Sequence, residues 1–431
     1  MSNYQCIVSK IERLIPIDKA DNIQIAVVLG EYTIVSKSAE VGQLGLLFPA
    51  GTQLSEEYCK VNNLFRDKTK NSDIEKAGFF DENRKVRTQK FLGVKSEAYF
   101  TTLDSVAHTG QDLTKLKHGD MFDTIGEHKI CNKFLSKTAR SMKEGNSLPK
   151  TKKANAPFFM PHIETDQFKH NLHKINKGDL ISIQAKGHGT SQRQSCALVH
   201  KRLPLWQEKV NRYFTIFKQK KVYEHVLGTR RVVLDSPDKV GFHGSEAWRY
   251  EIAAKLEPHV KEGITLYYEV VGYANNKPIM SKHNLAALKD KKYTKKYGDE
   301  IIYKYNCVEG TNDYYIYRIT YTTNDGAVVD LTQQQLLRWC KDRGLNACLD
   351  VVEPFIYDGD EGKLKALVEE LTERPELLTE DFRDPSIVSE GVVIRVENGN
   401  TTPLFLKSKS YLFRLLEGIV SEQEVDLEDI S

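Results

Sequence analysis

Between residues 132 and 156 this sequence gives up all apolar periodicity, and that break constrains the fold more than any other feature. The stretch opens as NKFLSKTARSMKEGNSLPK and passes into KTKKANAP, basic throughout with Glu144 as its one acid. No regular element would choose that run, so it reads as a linker. A single hydrophobic core cannot continue through it, and 431 residues exceed what one core ordinarily serves. Four stretches follow: a first domain over 1–131, the linker over 132–156, a second domain over 157–420, and an acidic tail, SEQEVDLEDIS, over 421–431.

The two domains differ in pattern. In the first, Gln5–Leu14 alternates loosely, Asn22–Leu29 and Glu31–Ser36 flank Gly30, Gly42–Pro49 is an apolar run broken by glycines, and Lys85–Leu103 alternates again. Short strands with glycine punctuation predict a small all-β barrel. In the second, strand-like runs recur at Leu180–Gln184, Arg231–Leu234, Thr265–Val271, Tyr314–Tyr321 and Gly391–Val396. Helical spacing recurs between them, at Ser245–Leu256 and Thr332–Arg343. The expected class is α+β, an all-β barrel followed by a mixed domain of antiparallel sheets and helices.

Composition excludes several functions. Hydrophobic residues make up 40% and charged ones 28%, as in a soluble globular chain, and no apolar run reaches bilayer length. Membrane association is not expected. The seven cysteines are scattered without a C-x-x-C pair, which argues against a disulfide framework or a structural zinc site and points to a reducing cytoplasm. A net charge of +3 says little, but 132–153 and 282–296 (KHNLAALKDKKYTKK) concentrate lysine as a phosphate backbone would require.

The sharpest chemical feature is ISIQAKGHGTSQR at Ile181–Arg193, where a strand ends in Lys186 and gives way to Gly187, His188 and Gly189. A lysine followed by glycines is a common turn, and alone it would carry little. Three more elements follow on strands. LYYEVVGY at Leu266–Tyr273 sets Glu269 among apolar neighbours, SEGVVIRV at Ser389–Val396 opens with Glu390, and LFLKSKSY at Leu404–Tyr411 puts Lys407 and Lys409 on one face. Acids and lysines in apolar strands are costly unless paired or at work.

Together these residues resemble the covalent nucleotidyltransferase superfamily of ligases and capping enzymes, and specifically its RNA ligases. The match is KGHG at Lys186–Gly189, the Arg230 segment GTRRVVL, EVVG at Glu269–Gly272, YIYRI around Tyr317, EGVVIR at Glu390–Arg395 and LKSKS at Leu406–Ser410. It extends from about His162 to Lys409. More loosely, IDKADNIQIAVV and KVRTQKFLGVKSEAYF resemble the OB module that precedes the ligase domain in one branch.

The resemblance implies an N-terminal OB-like barrel, an ATP-grasp-like ligase domain, and an ATP-dependent RNA ligase that joins 5′-phosphate and 3′-hydroxyl RNA ends, expected at a nicked duplex, as a monomer. Lys186 would form a lysyl-AMP while Lys407 and Lys409 stabilise the phosphoryl group. Gln184, Gly189, Arg193, Arg230, Glu269, Tyr317 and Glu390 would bind ATP, with Glu390 also holding Mg²⁺ or Mn²⁺. The chain departs from the pattern in carrying Gln184 and Ala185 where many relatives have an acid, and Arg318 where an acid usually follows the aromatic. Arg230 and Arg231 are adjacent, and Arg230 is the expected contact; His162 is a further candidate. DNA ligases and capping enzymes place an OB domain after the closing lysines, and the 22 residues beyond Lys409 are too few for one. A capping-type nucleotidyltransferase acting on another acceptor and a non-catalytic nucleic-acid binder remain as alternatives.

Overall fold

The structure is a computed structural model describing residues 5–17, 20–91, 94–134, 156–201, 203–211, 213, 220–234, 236–238, 240–241, 244–286, 288, 291–373, 384 and 386–417. Most of the basic linker and the whole acidic tail lie outside the described residues. The chain forms two compact units. One takes the described residues of Met1–Asn146, Asp166–Lys174 and Tyr411–Ser431, and the other those of Ser147–Thr165 and Ile175–Ser410.

The first unit is built on a seven-stranded sheet in the order Met121–Phe122, Cys6–Lys10, Leu44–Pro49, Ala98–Thr102, Glu31–Ser36, Ile23–Val28, Arg13–Pro16. Its pairings are antiparallel except where Thr33 meets Ala98 in parallel. Both faces of the central strands are covered. Cys6, Val8, Leu46 and Phe48 pack into one cluster, and Ile7, Leu47, Ala26 and Val28 into another. Period-two geometry sends alternate residues to opposite clusters, so a continuously apolar run is what such strands require. The segment Gln5–Leu14, one strand on sequence grounds, is broken into Cys6–Lys10 and Arg13–Pro16.

The second unit contains two antiparallel sheets. The smaller orders Leu404–Lys409, Gly391–Glu397, Leu180–Ala185 and Asp350–Ile356. The larger orders Val233–Leu234, Lys221–Thr229, Thr190–His200, Ile264–Ala274, Asn312–Thr322 and Val328–Asp330. Helices Ala247–Leu256 and Gln333–Lys341 supply Trp248, Ile252, Leu256, Leu336 and Cys340 to a core with Leu266, Tyr268, Val270, Ile316 and Ile319 of the larger sheet. The second helix starts at a capping box, Thr332 with Gln335, that satisfies two otherwise orphaned amides. The α+β class and the antiparallel sheets agree with the sequence reading. The chain passes from one sheet to the other through residues 186–189, and that crossing positions the site.

Candidate nucleotidyl-transfer site

Lys186 leaves the strand Leu180–Ala185 with its amide donating to the Gly391 carbonyl at 2.9 Å, so the neighbouring strand fixes its backbone. Four residues later the chain enters Thr190–His200 of the other sheet. Gly189 and Gly391, one in each of the two main motifs, are steric requirements. A Cβ on Gly189 would stand 2.3 Å from the Val270 carbonyl oxygen. One on Gly391, whose φ is +131°, would stand 2.1 Å from that of Ser408. Only glycine allows these approaches.

Glu390 is the centre of charge. One carboxylate oxygen lies 3.0 Å from Lys186 Nζ and 3.1 Å from Lys409 Nζ, and its other oxygen faces His188 Nδ1 at 3.6 Å. Burial by itself would raise this carboxyl, but Lys186, His188 and Lys409 outweigh it and hold it well below the usual carboxylate range. Lys407 donates to the Thr165 carbonyl at 2.8 Å. Burial first, then the charges of Lys186, Lys409 and Arg230, push its ammonium down to about 8. The two lysines that alternation places on one strand face do converge on the Lys186 side.

Glu269 faces the crossing from the other sheet. It accepts from the Gly189 amide at 3.1 Å and from the Ser191 hydroxyl at 2.9 Å, and burial raises its carboxyl, with Lys186 partly offsetting the effect. Tyr317 shares a 3.1 Å hydrogen bond with His162 Nδ1, the rings meeting edge to face. Burial raises the phenol, and it lowers the imidazole to about 3 with help from Arg230, Arg318, Lys186 and Arg193. Both partners are therefore neutral at pH 7. Arg230 and Arg231 both reach Glu164. Arg230 is the one whose charge acts on His162 and Lys407, which favours it as the inward-facing member.

Other motif residues are committed to the fold. Gln184 is buried and donates to the Cys348 carbonyl at 3.3 Å. Arg193 is buried over the Phe159 ring and donates to the carbonyls of Thr229, Phe159 and Met160. It thereby anchors the segment leading to His162. Arg318, where relatives carry an acid after the aromatic, makes a two-pronged pair with Asp330 at 2.5 and 2.8 Å.

Several residues around the site carried no sequence signal. Tyr305 accepts the His188 amide at 2.6 Å, and Tyr303 packs edge-on against His188 while its hydroxyl meets His283 Nδ1 at 2.9 Å. Arg249 pairs with Glu246 at 2.6 Å and donates to Gln192 and Thr190, bracing the first residues past the crossing. The contacts made to His188, Gln192 and Thr190 join residues 57 to 117 positions apart in the chain, too remote for local spacing to register.

A divalent cation fits the donor set at one point. Glu390 supplies a hard carboxylate, and its second oxygen has no hydrogen-bond partner among the described residues. One protein carboxylate suits an ion that takes its remaining ligands from water and phosphate.

The fold that carries this crossing is similar to that of an RNA ligase. No family model matches the chain, and no curated protein matches its sequence. Among solved structures it is similar to Naegleria gruberi RNA ligase. A lysine-to-alanine form with ATP and Mn is 14% identical with a TM-score of 0.57, covering 97% of this chain and 99% of that one. A glutamate-to-alanine form with ATP and Mn is 15% identical with a TM-score of 0.56, and the form with pyrophosphate is 15% identical with a TM-score of 0.52. These last two cover 95% of this chain and 97% of theirs.

Proposed function

We propose that this protein is an ATP-dependent RNA ligase working through a covalent adenylate on Lys186. The observation that carries the reading is the Glu390 carboxylate between Lys186 and Lys409, beside Lys407, at a crossing where two glycines leave no slack. The fold likeness to Naegleria gruberi RNA ligase, solved with ATP and Mn, supports it.

In the first step Lys186 Nζ must give up its proton and its contact with Glu390 before it attacks the α-phosphorus of ATP. The Nζ–P bond forms as the bond to the leaving pyrophosphate breaks. Lys407 and Lys409 face the charge gathering on the phosphoryl oxygens, where one such donor is worth about 3–4 kcal/mol. A divalent ion, Mg²⁺ or Mn²⁺, would be held by Glu390 and would neutralise phosphate charge. Tyr317 offers a ring face for adenine, Glu269 an acceptor for a ribose hydroxyl, and Arg230 a cation for phosphate. The AMP then passes to an RNA 5′-phosphate, and attack by the 3′-hydroxyl closes the phosphodiester and releases AMP.

We assign residues 1–131 to an OB-like module that grips RNA, 132–156 to a basic linker, 157–420 to the nucleotidyltransferase domain and 421–431 to an acidic tail. Within the third stretch, Asp166–Lys174 and helix Tyr411–Leu416 group with the first compact unit. The parallel pairing of Glu31–Ser36 with Ala98–Thr102 in an otherwise antiparallel sheet supports the barrel reading. The substrate is proposed to be a nicked duplex and the enzyme a cytoplasmic monomer. No disulfide joins its seven cysteines, and no helix among the described residues is long and apolar enough to cross a membrane.

The test is incubation with α-labelled ATP or GTP and Mg²⁺ or Mn²⁺, comparing wild type with Lys186→Ala. Label from ATP retained on denatured wild type and missing from the variant supports the assignment. Label from GTP alone would move the protein to the capping class, and no label from either would leave a nucleic-acid binder.

A further inference from the structure

Away from the nucleotide site, the first unit gathers Glu57, His108 and His128, with one donor atom of each lying within 4.8 Å of the others. They come from three separate elements: helix Glu56–Val61, the 3₁₀ segment Leu103–Thr109 and the short strand His128–Lys129. His128 Nδ1 is 2.9 Å from Glu57 Oε1, and the two imidazoles meet edge to face with centroids 5.7 Å apart.

The contact between Glu57 and His128 explains those two residues but leaves His108 unexplained. Both its ring nitrogens are shut away from solvent, and neither has a hydrogen-bond partner among the described residues. A buried imidazole with neither nitrogen satisfied is costly, and a bound ion is one standard cause of such an orphan. Glu57 and His128 keep 49% and 34% of their side-chain surface exposed, so the group is open on one side and closed by His108 on the other. Two imidazoles and a carboxylate are a zinc donor set, with bonds of about 2.0–2.2 Å and a fourth position for water or a ligand.

We propose that Glu57, His108 and His128 bind a single divalent transition-metal ion of the zinc class. The ion ties the helix, the 3₁₀ segment and the hairpin Thr124–Lys129 together, and it is distinct from the Mg²⁺ or Mn²⁺ of the nucleotide site. Oxygen-seeking Mg²⁺ does not compete for imidazole, which separates the two experimentally.

Chelator-treated full-length protein is titrated with Co²⁺ in excess Mg²⁺, followed by its visible d–d absorption, and Zn²⁺ is then used as competitor. The expected result is one equivalent of Co²⁺ bound without a thiolate charge-transfer band, displaced by Zn²⁺, with a melting temperature that rises on metal addition. His128→Gln and Glu57→Gln, both at the exposed side, should melt cooperatively, bind at least tenfold more weakly and lose the metal-dependent rise. Binding unchanged in both variants, a thiolate band signalling a cysteine site, or no saturable binding beyond an adventitious ion would each overturn the proposal.

Discussion

Replacing Lys407 with methionine should make the protein more stable and far less active. The Lys407 ammonium is pushed down to about 8, first by burial and then by Lys186, Lys409 and Arg230. Against an ordinary lysine near 10.5, that displacement is worth about 3 kcal/mol at about 1.4 kcal/mol per pH unit. The folded chain bears this penalty at pH 7, where the side chain is still charged. Methionine keeps the length of the stem and removes the charge, but it leaves the Thr165 carbonyl without its donor, at about 1 kcal/mol. The net gain is about 2 kcal/mol. The sign of the pH dependence follows from the same numbers. Because the folded value is depressed, the unfolded chain holds more protons between about pH 8 and pH 10.5. Wild-type stability should therefore climb across that window and be flat, for this group, below it. Urea denaturation at a series of pH values should show the climb in wild type and a shallower slope in the variant. Activity should move the other way, with lysine adenylylation falling roughly a hundredfold to a thousandfold as one phosphoryl-oxygen donor is lost. A variant less stable than wild type at pH 7, or one that adenylylates within fivefold of it, would refute the reasoning.

Three further outcomes follow from the geometry. Gly391→Ala should cost several kcal/mol in urea denaturation and abolish adenylylation, because its Cβ meets the Ser408 oxygen at 2.1 Å; Gly30→Ala, at φ +71° with nothing within 4 Å, should cost only about 1–2 kcal/mol. Arg318→Met should lose about 3–5 kcal/mol by stranding a buried Asp330, while the double change Arg318→Met with Asp330→Leu should recover most of it, as paired denaturation curves would show. Glu269→Gln turns one acceptor of the Gly189 and Ser191 donors into a donor, an unmet pairing of about 1–3 kcal/mol, so single-turnover adenylylation should drop about tenfold to a hundredfold.

What could be read from the sequence was whatever local spacing encodes. Lys186, Glu390, Lys407 and Lys409 sit at strand ends or on one strand face, where alternation and glycine punctuation mark them, and the structure brings them to a common point. Residues whose partners arrive from elsewhere could not be read in this way. Arg193 sits in the nucleophile motif, yet its guanidinium is taken up by carbonyls 33 to 36 positions away. The break of the family pattern at Arg318 has its physical reason in a register: Thr320 pairs with Asp330, which delivers the acid to Arg318 from the next strand. Asp350–Ile356 escaped notice because it holds Pro354 and two acids. It lies at the edge of its sheet, where proline is tolerated.

The crossing itself explains why so few residues would suffice for the proposed chemistry. Lys186 is tied to the smaller sheet by its amide to Gly391, and Gly189 is tied to the larger by its amide to Glu269. With a Cβ forbidden at Gly189 by the Val270 oxygen, the connection cannot be rerouted without prising the strands apart. Lys186, the proposed nucleophile, is thus held between two carboxylates that belong to different sheets and differ in state. Glu390 is driven down by Lys186, His188 and Lys409, and Glu269 is driven up by burial. A carboxylate kept ionised is the one able to hold a divalent ion against the pull of Lys186, while one raised by burial is better suited to a neutral ribose hydroxyl. In the proposed mechanism the division of labour between metal and sugar then rests on which sheet each acid belongs to.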